Sequence, residues 1–411
     1  MVYKESMVIT KAGKQLNRIW EGPALAVNVG DSAFTLGQGK PETTIIVHNT
    51  RIIRQLISQP SLTFGEAYVN GDLEVKGKLI HALEGFYRTE GKLGQQFLLK
   101  TLKGIGSLIP KKISVAQAKH NASHHYDVGN DFYKLWLDST LAYTCAYYLR
   151  DDQTLEQAQR QKFDLVARKV RLEPGLRIID LGCGWGSFLF HAAEQYGVHA
   201  TGVVAAKEQG AYIQTEAKRR GLTDQVDVII DDWRSATGTY DRVVSIGIME
   251  HVGEQQHDEF LQLYRRLLKK DGLAFIHTIG RMLSREGNPW ISKYIFPGNY
   301  IPTLSQISES AARAGFILTD VENLRQHYAL TLAHWSQNFL KHRDEVVNMF
   351  DEQFARMWWL YLQGSEAGFR WGKLQLWQAV LVKNEQSQWP LDREVEVSKP
   401  DDTKLEKIEQ A

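Results

Sequence analysis

One stretch restricts the fold more than any other. Asp180-Leu181-Gly182-Cys183-Gly184-Trp185-Gly186 closes a short apolar run, Arg177–Leu181, and opens a segment of helical spacing, Phe188–Tyr196. Glycines at a strand-to-helix turn permit backbone conformations closed to other residues, and they let the chain approach a ligand held at the helix N-terminal amides. Around this turn the periodicity alternates. Leu155–Val170, Glu208–Arg220 and Asp258–Leu268 read as helices, and His199–Val204, Gln225–Ile230, Tyr240–Ile246 and Leu273–His277 as strands. That order predicts an α/β fold with a mostly parallel sheet, helices on both faces and ligands at the strands' C-terminal ends.

What the glycine turn binds is open at first. A bare structural turn is one reading. A dinucleotide site wants G-x-G-x-x-G and an acidic residue roughly twenty positions later for the ribose hydroxyls. Here the glycines stand at 182, 184 and 186, and the corresponding later position is Gly202. The loop instead resembles the D-x-G-x-G-x-G loop of class I S-adenosylmethionine-dependent methyltransferases.

The 411 residues leave room for two or three domains. With 49 basic and 48 acidic side chains the net charge is +1, which excludes a polybasic nucleic-acid coat and an acidic disordered chain. No nucleic-acid partner is expected. Two cysteines, Cys145 and Cys183, cannot build a disulfide framework or a Cys-rich zinc site, and no metal is expected. The N-terminal MVYKESMVITKAGKQ is too polar for a signal peptide and no uncharged apolar run reaches membrane-spanning length, so the chain reads as soluble and cytoplasmic.

Residues 1–95 mix strand-like Ala33–Leu36 and Thr43–His48 with helix-like Arg51–Ile57 and Ile80–Tyr87, a small α+β domain. Residues 96–120 form a basic amphipathic linker. Between Lys92 and Lys119, Lys100, Lys103, Lys111 and Lys112 alternate with Leu98, Leu102, Ile105 and Ile109, without an acidic residue. The segment is a solvated connector or a patch for an anionic membrane face. Residues 121–385 follow as the catalytic stretch, and 386–411 as a polar tail.

Further strings carry a specific resemblance. They are F-G-E-A-Y-V-N-G (Phe64–Gly71), H-Y-D-V-G-N-D-F-Y (His125–Tyr133), L-A-Y-T-C-A-Y (Leu141–Tyr147) and Y-D-R-V-V-S-I-G-I-M-E-H-V-G (Tyr240–Gly253). F-I-H-T-I-G (Phe275–Gly280), N-P-W-I-S-K-Y-I-F-P-G (Asn288–Gly298) and H-Y-A-L-T-L-A-H-W (His327–Trp335) follow in the same order. Together they resemble the cyclopropane-fatty-acyl-phospholipid synthases and their mycolic-acid cyclopropane relatives, over about Ser61 to Val382. The N-terminal domain is similar to the lipid-associated domain of the bacterial phospholipid enzymes, which the mycolic-acid enzymes lack.

The resemblance implies methylene transfer from S-adenosylmethionine to a cis double bond in the acyl chain of a membrane phospholipid. It implies a bound bicarbonate as the base, held by Cys145, Glu250, His277, Ile279 and Tyr328. Glu250 would accept the bicarbonate hydroxyl, His277 and Tyr328 would donate to its oxygens, and Cys145 and Ile279 would supply backbone N–H groups. For S-adenosylmethionine it implies Tyr143 and Thr144 near the methionine end, Asp180, Gly182 and Gly184 in the loop, Gln209 after the second strand, and Asp232 and Trp233 beside adenine. Read singly, these residues keep plainer alternatives. Cys145 is a buried small hydrophobe, Glu250 a helix cap, His277 a core histidine and Tyr328 a packing residue. The chain departs from the family where Val204 and Ala206 replace hydroxyl-bearing residues and where Trp233 replaces tyrosine.

Aromatics in Tyr143–Tyr148, Trp290–Tyr300 and Trp358–Trp377 would line an acyl channel or fill a core. The implied partner is an anionic membrane surface, met as a peripheral protein on its inner face, and oligomeric state stays open with a homodimer among the options. Three rivals remain at this point. One is a methyltransferase that leaves a branched or hydroxylated lipid, one an amine methyltransferase like the plant alkaloid enzymes, and one an inactive membrane-binding relative.

Overall fold

The computed structural model describes residues 2–98 and 128–385. The basic linker, with Lys100, Lys103, Lys111, Lys112 and Lys119, lies outside them, as does the polar tail. The described chain divides into two compact units.

The first unit holds a four-stranded sheet of order β2-β1-β3-β4, built from β1 (Leu25–Val29), β2 (Ser32–Leu36), β3 (Thr43–Val47) and β4 (Leu73–Lys76). β1 pairs antiparallel with β2 and parallel with β3. Its apolar residues alternate, so Leu25, Val27 and Val29 are buried while their neighbours are partly open. The α+β reading of this region matches the strands and the helices Ile53–Ser58 and Leu79–Leu98. Helix Pro60–Asn70 ends at Gly71, whose φ of 84° supplies the left-handed C-cap. Gly65 of the same helix lies against Trp290. A Cβ there would sit 2.3 Å from the indole, which accounts for the glycine inside F-G-E-A-Y-V-N-G.

Trp290 exposes a difference from the expected boundaries. Arg285–Pro297 and Leu332–Leu374 pack with the N-terminal unit instead of the seven-stranded one. The helices Pro289–Tyr294 and Glu352–Arg370 pack on Pro60–Asn70, and Glu352–Arg370 also packs on Leu79–Leu98. Trp290, Trp358 and Tyr361 are buried there as core side chains of this unit. Hydrophobic periodicity shows that a helix has an apolar face but not which distant face it meets.

The second unit is a seven-stranded sheet of order β10-β11-β9-β8-β5-β6-β7. Its strands are β5 (Arg177–Leu181), β6 (His199–Val204), β7 (Val226–Ile230), β8 (Tyr240–Ile246), β9 (Leu268–Arg281), β10 (Phe316–Asn323) and β11 (Leu374–Lys383). β5 pairs parallel with β6 on one side and β8 on the other, and β8 pairs parallel with β9. β10 and β11 close one edge antiparallel. Successive residues serve opposite faces. Ile178, Val244, Phe275 and Val380 enter one core, and Ile179, Val243, Ala274 and Ala379 the other. Burial on both faces is why these strands read as unbroken apolar runs.

The strand order reverses at β5, which puts a crevice between the ends of β5 and β8. β9 runs from Leu268 to Arg281, beyond the expected Leu273–His277, because its pairing with β8 begins at Leu268 and reaches His277. The extension carries Thr278 and Ile279 in strand geometry past the crevice.

Candidate active site

The glycine turn adopts the conformations its composition allows. Gly182, Gly184 and Gly186 have φ of 83°, 57° and 79°. The N–H groups of Gly182 and Cys183 both donate to Val203 O, at 2.9 and 3.1 Å, which fastens the turn to the end of β6. A Cβ at Gly184 would meet nothing within 4 Å, so that backbone faces open space. At Gly202 a Cβ would lie 2.5 Å from Cys183 Sγ, so the position where a dinucleotide site wants an acid has no room for any side chain.

A pocket opens over this turn. Tyr143, Thr144, Asp180, Gly182, Gly184 and Gln209, all implied by the sequence, line it together. Asp232 and Trp233 are not on its wall. Asp232 Oδ1 caps the following turn, accepting from Arg234 N at 3.0 Å and Nη1 at 2.7 Å. Trp233 is buried edge-on against Phe260.

Lys162, which sequence reasoning passed over, also lines the pocket. It sits on helix Leu155–Lys169, started by a Thr154–Gln157 capping box, and its Nζ donates to Thr144 Oγ1 at 2.9 Å. Gln159 Nε2 holds Thr144 O at 2.8 Å, so both ends of Thr144 are fixed. In an amphipathic helix a buried lysine and glutamine look like solvent-face residues, so no sequence signal marked them. Burial sets the charges here. Asp180, 2% exposed, is pushed up to about 7 by desolvation, and Lys162, 1% exposed, is pushed down to about 7 by the same cause.

The segment Asn130–Tyr133 roofs the turn. Trp185 Nε1 donates to Asn130 Oδ1 at 2.8 Å, and the Tyr133 ring lies 4.9 Å from Trp185 and 5.6 Å from Tyr143. Trp136 meets Tyr143 edge to face at 5.2 Å. The motif thus supplies buried aromatics that pack behind Tyr143 and Trp185 of the pocket wall, while His125, Tyr126 and Asp127 fall outside the described residues.

A second cluster adjoins the pocket. Gly247 N donates to His277 O at 2.8 Å, and a Cβ at Gly247 would be 2.9 Å from Thr144 Cγ2 and 4.0 Å from Glu250 Oε1. This glycine lets the carboxylate come close behind the pocket. Glu250 is buried and accepts from Thr278 Oγ1 at 2.7 Å and from Ile279 N at 3.4 Å. Burial raises its pKa, against those hydrogen bonds. Thr278 was not anticipated, being an unremarkable strand residue in sequence. His277 Nδ1 accepts from Gln378 Nε2 at 3.2 Å, which places the ring proton on Nε2. Among the described residues nothing accepts from that Nε2, and burial keeps the ring neutral.

Cys145 Sγ points to Ala146 O at 3.1 Å and Leu324 O at 3.8 Å, and Tyr328 follows one turn after Leu324. Desolvation pushes the Cys145 thiol far up, so it stays protonated. Ala146 N donates to Thr331 Oγ1 at 3.0 Å and Tyr148 N to His327 Nδ1 at 3.1 Å. These bonds hold the Cys145 segment on the helix Arg325–Lys341 that carries Tyr328.

Residues 113–379 match the family model described as mycolic acid cyclopropane synthetase. The chain belongs to that family. The family places it among the class I S-adenosylmethionine-dependent methyltransferases, whose sheet order it has. Residues 27–96 separately match a domain of unknown function, DUF7884. A probable fatty acid methyltransferase of Pseudomonas putida is 36% identical over 375 residues, 89% of this chain and 91% of its own. The cyclopropane-fatty-acyl-phospholipid synthase of Escherichia coli K12 is 33% identical over 351 residues, 84% of this chain and 89% of its own. The crystal structure of mycolic acid cyclopropane synthase CmaA1 with SAH and CTAB superposes with a TM-score of 0.62 at 34% identity, covering 64% of this chain and 98% of that one.

Proposed function

We propose that the protein transfers a methylene from S-adenosylmethionine to the cis double bond of a phospholipid acyl chain, forming a cyclopropane. The observation that carries this reading is the Glu250 cluster, set directly behind the cofactor pocket across Gly247. The similarity to the Escherichia coli synthase extends over 351 residues, 84% of this chain, and so reaches into the N-terminal region, which supports a phospholipid over a mycolate substrate.

S-adenosylmethionine, when bound, supplies the methyl group. Tyr143, Thr144, Gln209 and the glycine turn would hold it at the crevice, while Asp232 and Trp233, packed on Arg234 and Phe260, lie off that wall. An alkene is a weak nucleophile, so alignment and exclusion of water supply most of the catalysis. Tyr143, braced by the buried rings of Tyr133 and Trp136, would serve both and would turn an electron-rich ring toward a developing cation.

Ring closure then needs a proton removed from carbon. The donor set fits a small bound oxyanion such as bicarbonate. His277 Nε2–H is an unsatisfied buried donor; Tyr328 would supply a hydroxyl, Cys145 a backbone N–H, and Ile279 a backbone N–H shared with Glu250, which it reaches at 3.4 Å. Glu250, already oriented by Thr278, would take the hydroxyl of that ion. Access to an acyl chain in a leaflet makes the protein peripheral on the membrane's inner face, and among the described residues no helix is long and apolar enough to cross one.

Glu250→Gln tests the assignment. An amide presents N–H2 where an acceptor is needed, so turnover should fall at least about a hundredfold, the loss of a charged hydrogen-bond partner, while S-adenosylhomocysteine still binds. Near wild-type turnover, or wild-type activity indifferent to removal of dissolved bicarbonate, would sink the bicarbonate role.

A further inference from the structure

His277 lies on β9 and Gln378 on β11, strands that adjoin in the seven-stranded sheet. Both side chains are almost wholly buried, at 1% and 0% exposure. Alternation along β11 puts Gln378 on the face of Val380 and Val382, which enter an apolar core, so the period asks for an apolar residue there. An amide in that place is costly unless it makes hydrogen bonds. Among the described residues its Nε2 meets His277 Nδ1 at 3.2 Å, and nothing donates to or accepts from its Oε1. The amide serves one ring nitrogen.

A neutral imidazole carries one proton, and the nitrogen that accepts a hydrogen bond is the one without it. Burial keeps the His277 ring neutral, and the positive charges of Lys162 and Lys169 act in the same direction. Its proton therefore sits on Nε2, which finds no acceptor among the described residues. A ring held in this state gives a hydrogen bond at Nε2, and its lone pair on Nδ1 is already engaged.

We propose that Gln378 is a positioning residue that commits His277 to the Nε2–H tautomer, so that the ring acts as a donor to a bound oxyanion and not as the base of the reaction. The proposal rests on the oxyanion reading of the Glu250 cluster, and it removes the one buried imidazole of that cluster from the groups that could take the carbon proton. A side chain at 378 that only accepts would reverse the ring and turn a bare nitrogen toward the ion.

Nitrogen NMR of the full chain, with histidine labelled in the ring and the His277 signal assigned by its loss in His277→Asn, reads the tautomer apart from turnover. Wild-type protein should show Nε2 protonated and Nδ1 bare between about pH 6 and about pH 8. A proton on Nδ1, or a ring that titrates in that range, would overturn the proposal. Gln378→Glu keeps the size of the side chain and removes its donor. It should protonate Nδ1 and lower turnover about a hundredfold, while S-adenosylhomocysteine affinity stays within about twofold. Nδ1 still bare in this variant, or turnover retained with Nδ1 protonated, would refute the role of Gln378. If the variant does not fold, as circular dichroism would report, the wild-type spectrum decides alone. Wild-type activity indifferent to dissolved bicarbonate, with Nε2 protonated and the variant reversed, would overturn the oxyanion reading and leave the control of the ring by Gln378 standing.

Discussion

At the residue scale the site is governed by desolvation. Burial pushes the Asp180 carboxyl up to about 7, well above the usual carboxylate range, with Lys162 opposing the rise. A carboxyl raised in this way stabilises the fold fully below its unfolded pKa and loses that contribution as pH rises through the folded value. Asp180→Asn should therefore gain stability relative to wild type between about pH 5 and about pH 8 in ligand-free thermal melts, and an unchanged difference across that range would contradict the burial argument. Thr278 donates to Glu250 Oε2, so Thr278→Val leaves a buried carboxylate short of a donor, a loss of about 1–3 kcal/mol. It should raise the Glu250 pKa further and move the acidic limb of the pH–rate profile upward. Cys145 is protonated, so Cys145→Ser should stay partly active, and a covalent lipid or methyl adduct on Cys145 would refute its packing role.

At the element scale the turn between β5 and its helix depends on a neighbour in β6. Gly202→Ala would place a Cβ 2.5 Å from Cys183 Sγ and 2.6 Å from Leu189 Cδ1. Such overpacking costs about 1–3 kcal/mol and should displace the turn, lowering the urea midpoint and weakening S-adenosylhomocysteine together. Binding unchanged at reduced stability would show that the turn does not depend on this fit. The same region shows what the sequence made legible. Strands β5 to β9, and Asp180, Gly182 and Gly184 at their ends, follow from apolar runs punctuated by glycine, which are local signals. Lys162, Thr278 and Gln378 were not legible, because their roles arise from contacts across 18, 28 and 101 residues of chain. Nor was the attachment of Glu352–Arg370 to the N-terminal unit, since helical periodicity carries no address.

At the scale of the whole molecule, a substrate within a leaflet demands a docking surface. Lysines near an anionic surface contribute about 1 kcal/mol each, so replacing Lys100, Lys103, Lys111 and Lys112 by Gln should weaken vesicle sedimentation by roughly two to three orders of magnitude. The loss should be greatest at low salt, with turnover on detergent-dispersed lipid nearly unchanged. Binding like the parent's would move docking elsewhere, and Met282 and Leu283, 64% and 78% exposed just beyond β9, are then the next residues to replace. The central claim concerns the product. Relatives named as a fatty acid methyltransferase and as a cyclopropane synthase both align over most of the chain, and methylation without ring closure adds the same mass. Expression in a host without cyclopropane lipids, followed by mass spectrometry and proton NMR of the phospholipid fraction, separates them. The account predicts a gain of one CH2 with loss of the alkene signal and appearance of cyclopropane protons. The same mass gain with the alkene retained, or a hydroxylated product, would contradict it.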